Sequence, residues 1–231
     1  MSSASQSVAP SARLWLVRHG QTDWNVQRRI QGHTPTPLNE VGIHQAHLLA
    51  AFFAERRFSA IWSSDLPRAA QTAAIIGEKL ALAVQTTPEL RERDLGDFEG
   101  KTWDEIREMR GINPESPLAN GDLSDWTGVQ GVESDTALWH RIRGTLCGIS
   151  IDHAGKDVLV ITHGGVIKHS VWHVLGLPPG APRRFPLANG ITAILQQRPQ
   201  GFYLLSLLDI AILDGRASAV DTASASGPPS A

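Results

Sequence analysis

Arg18-His19-Gly20 follow the apolar run Leu14-Trp15-Leu16-Val17 and lead into Gln21-Thr22-Asp23-Trp24-Asn25. A strand that runs out on an arginine, a histidine and a glycine presents a cation, a nucleophilic ring and a permissive backbone at one loop, where active sites tend to lie. That set suits phosphate chemistry. A guanidinium stays charged and reaches two phosphate oxygens at once, and an imidazole with one unprotonated nitrogen can attack phosphorus. Three further segments carry residues of the same kinds: Ser63-Ser64-Asp65-Leu66-Pro67-Arg68, the charged run Arg91-Glu92-Arg93-Asp94, and Thr162-His163-Gly164-Gly165.

Other phosphate machineries are checked directly. The chain has no G-x-x-x-x-G-K-S/T loop, so a nucleotide-binding P-loop is unsupported. Cys147 is followed by Gly148-Ile149-Ser150-Ile151-Asp152-His153, without the arginine that a cysteine-based phosphatase loop places six residues on. Histidine is left as the nucleophile, and the chemistry calls for no metal and no cofactor.

Four separated motifs give the chain a family resemblance. The first, an apolar strand followed by R-H-G-Q/E-S/T-x-x-N, is met by Arg18, His19, Gly20, Gln21, Thr22 and Asn25. The second, S-S-x-x-x-R-x-x-x-T, is met from Ser63 to Thr72 through Arg68. The third, L-x-E-x-x-x-G-x-W/F-E-G, is met from Leu90 to Gly100, with Glu92 as its acidic residue. The fourth is the strand ending at His163-Gly164-Gly165. In this order and across most of the chain, they resemble the histidine phosphatase superfamily, also called the phosphoglycerate mutase-like family.

The resemblance implies roles residue by residue. His19 is the nucleophile, its second ring nitrogen donating to a backbone carbonyl that fixes the tautomer. Arg18 and Arg68 hold the non-bridging oxygens, where charge must be stabilised during transfer, and His163 is a fourth cationic or donor group. Asn25, Thr22, Gly164 and the backbone near Gln31-Gly32 line the substrate. Glu92 protonates the leaving oxygen and then activates water. It is chosen over Asp94, the fallback, and over Asp97 and Glu99 by motif register. Taken singly, Arg68 could be a solvated helix-start residue and Glu92 one member of a charged loop; the joint pattern argues otherwise.

Those residues need elements to position them. Asn39 can cap a helix, Leu38 can staple against Ile43, and Ile43, Ala46, Ala50 and Phe53 fall on one face. A strand at 60–63 precedes Pro67, a good first-turn residue, and a helix with the stripe Ala69, Ala73, Ile76 and Leu80. Residues 157–162 form a buried-strand run, with a helix from Val166 to about Leu175. Residues 190–195 and 202–208 read as two late strands about a turn at 198–201. Alternating strands and helices indicate a layered α/β domain with a mostly parallel sheet. The resemblance makes it a three-layer α/β/α fold with helices on both sides of the sheet, one antiparallel strand and a small cap insertion.

At 231 residues, with 21 basic and 23 acidic side chains and a net charge of −2, the chain offers one sizeable core and no broad basic field for nucleic acid or an anionic membrane. The organisation expected is a disordered N-terminus (1–12), a catalytic domain (13–212) with its cap at about 103–134, and a disordered tail (213–231) poor in large apolar residues. With a single cysteine, no internal disulfide, no membrane-length apolar run and no signal-like start, the expected location is cytoplasmic. The resemblance leaves a homodimer open.

The pairs His169/His173 and His44/His47 have metal-compatible spacing but lack a third ligand in sequence, and read as solvated helix-face residues. Trp103, Trp126 and Trp139 read as core or interface residues. After Glu92, mutases of this family carry a tyrosine-rich segment and a long basic insertion. Here the only cations between Gly100 and Glu133 are Lys101, Arg107 and Arg110. A metal-independent hydrolase of a small phosphomonoester is favoured. A cofactor-dependent phosphoglycerate mutase and a catalytically silent phospholigand-binding module are the alternatives. Phosphosugars, nucleotide-like ribosides and phosphoglycerates all remain open as substrates.

Overall fold

The computed structural model describes residues 11–111, 130–178 and 184–209. Its elements are β1 (Arg13–Arg18), α1 (Asp23–Val26), α2 (Glu40–Ala54), β2 (Ala60–Ser64), α3 (Pro67–Leu80), β3 (Val84–Thr87), α4 (Trp103–Met109), α5 (Asp135–Asp152), β4 (Asp157–Thr162), α6 (Gly164–Val174), β5 (Thr192–Arg198) and β6 (Gly201–Leu208). The six strands form one sheet in the order β3-β2-β4-β1-β5-β6. β1, β2, β3 and β4 are mutually parallel, β5 runs against β1, and β6 runs against β5. One strand in six is therefore reversed.

Alternation along the central strands builds two cores. In β1, Leu14 and Leu16 join Leu138, Ile142, Leu146 and Val171 on the α5/α6 side. Trp15 and Val17 join Leu49, Phe53, Ala73 and Ile76 on the α2/α3 side. β4 divides likewise, Val158 and Val160 to one side and Leu159 and Ile161 to the other. Strands buried on both faces must be continuously apolar, and here each face is covered by helices. The three-layer α/β/α architecture follows.

Local signals set several element ends. Thr22 and Asn25 close a reciprocal capping box on α1, Asn39 caps α2 through Gly42 N–H at 2.9 Å, and Ser134 caps α5 through Ala137 N–H at 3.1 Å. Pro67 opens α3, and Ala81, in the left-handed region at φ 54°, ends it.

Three expectations are corrected. Ile43 is 43% exposed, so the inward stripe of α2 is Gly42, Ala46, Leu49, Ala50 and Phe53. The reason is a close approach: a Cβ on Gly42 would sit 2.7 Å from the Gln21 nitrogen, so the inward position admits only glycine and the neighbouring isoleucine faces water. α6 starts at Gly164, not Val166. β3 and α5 were not anticipated; β3 is a four-residue edge strand with mostly exposed or half-buried side chains. The cap residues Leu118, Leu123 and Trp126, the N-terminal segment before residue 11 and the tail beyond residue 209 lie outside the described residues. Of the expected cap, α4 and the stretch from 130 are described, with Ile106 packing on Ile30 and Phe98. Among the described residues no helix is long and apolar enough to cross a membrane.

Candidate active site

Strand order brings the motif residues together. β1, β4 and β2 are neighbours, with Arg18 level with Thr162 and Ser63 level with Ile161. His19, His163 and Ser64 therefore emerge side by side at the carboxyl end of the sheet, the position where ligands of such sheets bind. The His19 and His163 rings lie 5.2 Å apart, centre to centre. Arg68, the second residue of α3, is fully buried beside them.

His19 is held in one tautomer. Its Nδ1–H donates to Gly20 O at 2.7 Å, leaving Nε2 as the unprotonated nitrogen. Burial, then the charges of Arg68 and Arg18, push its pKa well below the ordinary histidine value. Asn189 Nδ2 donates to His19 O at 3.0 Å, and Gly20 N donates to Thr72 Oγ1 at 3.1 Å, fixing the loop from both sides. A Cβ at Gly20 would lie 3.0 Å from the carbonyl carbon of Gly42, so the glycine of the triplet is required by the approach of α2.

The cationic groups are set by backbone carbonyls. Arg18 Nη1 donates to Leu187 O. Arg68 donates from Nη1 to Thr34 O at 2.9 Å and from Nη2 to Gly32 O at 2.8 Å. Its Nε is buried without a hydrogen-bond partner among the described residues, and burial lowers its pKa to about 10, which leaves it charged at neutral pH. His163 Nε2 meets Ser64 Oγ at 2.8 Å, and its buried Nδ1 has no partner among the described residues. Burial, Arg68, His19 and Arg18 all depress its pKa, so of the two forms expected, cation or donor, the ring is the neutral one.

Glu92 reaches the same place from the loop before α4. Oε2 accepts from Gly165 N at 2.9 Å and Oε1 from Arg93 N at 2.9 Å, placing the carboxylate at the start of α6, two residues past His163. The competing acids are occupied elsewhere. Asp94 caps Gly96 N at 3.0 Å, and Asp97 is exposed. Glu99 takes His33 N at 2.7 Å and Thr34 N at 2.9 Å. A Cβ on Gly165 would overlap Glu92 Oε1, which explains a glycine there, whereas one on Gly164 would meet Arg18 Nε in ordinary contact at 3.4 Å.

The family model of the histidine phosphatase superfamily (branch 1) matches residues 14–210. The chain belongs to this superfamily. Its relatives include phosphoglycerate mutase-like protein 4 of Arabidopsis thaliana, 41% identical over 160 residues that make up 68% of each chain. A second, described as "Probable phosphoglycerate mutase GpmB" of Yersinia pestis, is 37% identical over 182 residues, 77% of this chain and 81% of that one. Among solved structures, a mycobacterial glucosyl-3-phosphoglycerate phosphatase in complex with VO3 superposes with a TM-score of 0.71 at 31% identity, covering 84% of this chain and 97% of that one.

The remaining candidates hold the loop that carries Arg68's acceptors. Asn25 Oδ1 takes Thr22 N at 3.1 Å and Asn189 Nδ2 at 3.3 Å. Gln31 Oε1 is shared by Thr22 Oγ1 at 3.0 Å and Thr36 Oγ1 at 2.5 Å. Gly32, at φ 46°, contributes its carbonyl as an acceptor for Arg68, whereas the sequence suggested a donor near this position. Glu99, from the third motif, fixes the neighbouring turn by the two contacts above.

Sequence reasoning missed Asn189, Ser64 and a buried group behind Glu92. Asn189 sits on a loop with no pattern to mark it. His169 is corrected: it is only 4% exposed, with Nδ1 on Gly165 O at 2.7 Å and Nε2 3.2 Å from Arg93 Nη2. Its helix faces α5, which was not anticipated. His173 is exposed and stacks on half-buried Trp139 at 4.1 Å, while His44 and His47 are exposed. Among the described residues no cluster of three or more His, Cys, Asp or Glu could hold a metal ion.

Proposed function

We propose that this histidine phosphatase hydrolyses a small organic phosphomonoester through a phosphohistidine at His19. The observation that carries the proposal is the His19 ring, tied through Nδ1 to Gly20 O and depressed in pKa by burial and then by the guanidiniums of Arg68 and Arg18, which leaves Nε2 free to attack. Nε2 bonds to phosphorus as the phosphorus–oxygen bond to the leaving group breaks. Arg18, Arg68 and His163 hold the non-bridging oxygens, where the charge of the loosened phosphoryl group resides. Glu92, protonated, gives its proton to the departing oxygen; as carboxylate it then takes one from the water that attacks the phosphohistidine. Inorganic phosphate leaves, His19 regains its lone pair and Glu92 its proton.

A second reading is a mutase that returns the phosphoryl group to an organic acceptor; the names of the two curated relatives favour it. The scarcity of cations between Gly100 and Glu133 favours hydrolysis, because a carboxylate-bearing phosphate needs more positive charge than Lys101, Arg107 and Arg110 supply. The test is incubation of chelator-treated protein with a panel of phosphomonoesters, including 3-phosphoglycerate with 2,3-bisphosphoglycerate, reading free phosphate and isomerised product. Phosphate release without isomerisation, lost in His19→Ala, is expected. Rapid isomerisation with little release makes the protein a mutase, and silence on both makes it a binding module.

A further inference from the structure

Behind the Glu92 carboxylate lies a closed ring of polar contacts built from three side chains with no role in the scheme above. Arg93, whose own N–H donates to Glu92 Oε1, turns its guanidinium inward, where it is 4% exposed and forms an ion pair with Asp135. The same Arg93 Nη2 lies 3.2 Å from His169 Nε2. His169 Nδ1 meets Gly165 O at 2.7 Å, and Gly165 N donates to Glu92 Oε2 at 2.9 Å. Starting from either carboxylate oxygen, the contacts run through Arg93, His169 and Gly165 back to the other.

The proton roles follow from the Gly165 carbonyl, which only accepts: His169 Nδ1–H donates to it, and in the neutral ring Nε2 accepts from Arg93 Nη2, with Asp135 Oδ1 3.1 Å from the same nitrogen. Burial lowers the His169 pKa to about 4, in keeping with that neutral form. Asp135, in the first turn of α5, supplies the charge that allows Arg93 to be buried. α5 grips the same loop a second time, through Arg141 Nη1 on Arg91 O at 3.0 Å.

We infer that Arg93, Asp135 and His169 are positioning residues that hold the Glu92 carboxylate in the geometry required for proton transfer. The inference rests on the reading of Glu92 as the leaving-group acid. Both Glu92 oxygens are bound by N–H groups whose separation the ring sets, so removal of the ring frees the carboxylate to turn while the substrate's phosphate contacts remain.

The test compares kcat/KM for 4-nitrophenyl phosphate, whose leaving group needs no proton, with that for glycerol phosphate, whose leaving group does. His169→Phe is expected to lower kcat/KM for glycerol phosphate by about tenfold to a hundredfold, the cost of misplacing a reacting group by up to an ångström, and to change 4-nitrophenyl phosphate by less than about twofold. His169→Gln, which keeps a donor and an acceptor, is expected to recover most of the loss. Asp135→Ala, at a partly exposed first-turn site, is expected to show the same selectivity in a chain whose apolar core is untouched. Equal losses on both esters, or wild-type values on both, in these variants overturn the inference. Glu92→Gln run alongside separates the two failures: if it lacks leaving-group selectivity, the reading of Glu92 itself is wrong.

Discussion

Gly165→Ala adds one methyl group at the back of the Glu92 carboxylate. The new Cβ would overlap Oε1 and lie 2.9 Å from Cδ and 3.2 Å from Oε2, where ordinary contact begins at 3.4 Å. The overlapping oxygen must retreat by roughly 1 Å, and a misplacement of that size costs on the order of a hundredfold in rate, or about 3 kcal/mol of barrier. The backbone does not object, because Gly165 is helical and alanine is the better helix former. The expected variant is therefore folded, binds phosphate, and loses about a hundredfold in kcat/KM on alkyl phosphates while keeping most of its activity on 4-nitrophenyl phosphate. Gly148→Ala in α5 is the control: nothing lies within 4 Å of its Cβ, so it should gain about 0.5 to 1 kcal/mol and leave the kinetics alone. Steady-state kinetics and thermal melts of the two variants decide the matter. Wild-type turnover of alkyl phosphates by Gly165→Ala would refute the assignment of Glu92, since no acid confined at that point could escape the methyl group.

Other expectations follow from the same geometry. His19→Ala should abolish phosphate release and the acid-labile label that a phosphohistidine leaves on denatured protein; label persisting in the variant would point to another nucleophile. Gly32→Ala combines a φ of 46° with overlap of the Glu99 carboxylate, so the loop whose carbonyls hold Arg68 should shift. KM is expected to rise more than kcat falls, and an unchanged KM would show that Arg68 does not depend on that loop. Finally, His169 binds a proton at about 4 when folded against 6.5 unfolded, so the unfolded chain takes up the extra proton between those values and stability falls as pH drops through that window. From pH 7.5 to 5 this histidine alone should cost about 2 kcal/mol. His19 and His163, also depressed, add in the same direction. Denaturant titrations giving equal stability at both pH values would contradict the buried neutral rings.

Much of the site was legible because its residues sit at strand ends that announce themselves. Leu14 to Val17 and Val158 to Ile161 are apolar on consecutive positions, which only a strand covered on both faces requires, and the residues that follow are His19 and His163. That these strands are neighbours was not legible from spacing, since 144 residues separate Arg13 from its partner Asp157. The family resemblance supplied that adjacency. Ile43 was misread because apolar periodicity takes no account of a backbone approaching at Gly42. The start of α6 was placed two residues late, at Val166, because apolar pattern does not show that Gly165 is helical and closely approached by Glu92. The spacing of Leu138, Ile142, Leu146 and Ile149 does mark α5. Without that helix in hand, nothing could bury His169, and so the ring behind Glu92 went unread.

The sheet order has a consequence for how the chain comes to possess a site at all. β4 lies between β1 and β2, so the first two strands to leave the ribosome are not partners. The strands that lead to His19 and to Arg68 can belong to one sheet only once Asp157–Thr162 lies between them, and His163 follows directly on that strand. Non-local parallel pairing of this kind is slow to form and leaves strand edges uncovered in the meantime. A chain stopped before residue 157 therefore holds the nucleophile and both guanidiniums, Arg18 and Arg68, but lacks His163 and the strand that joins β1 to β2 in the sheet. The set of motif residues is therefore completed only when the strand that leads to His163 has been made.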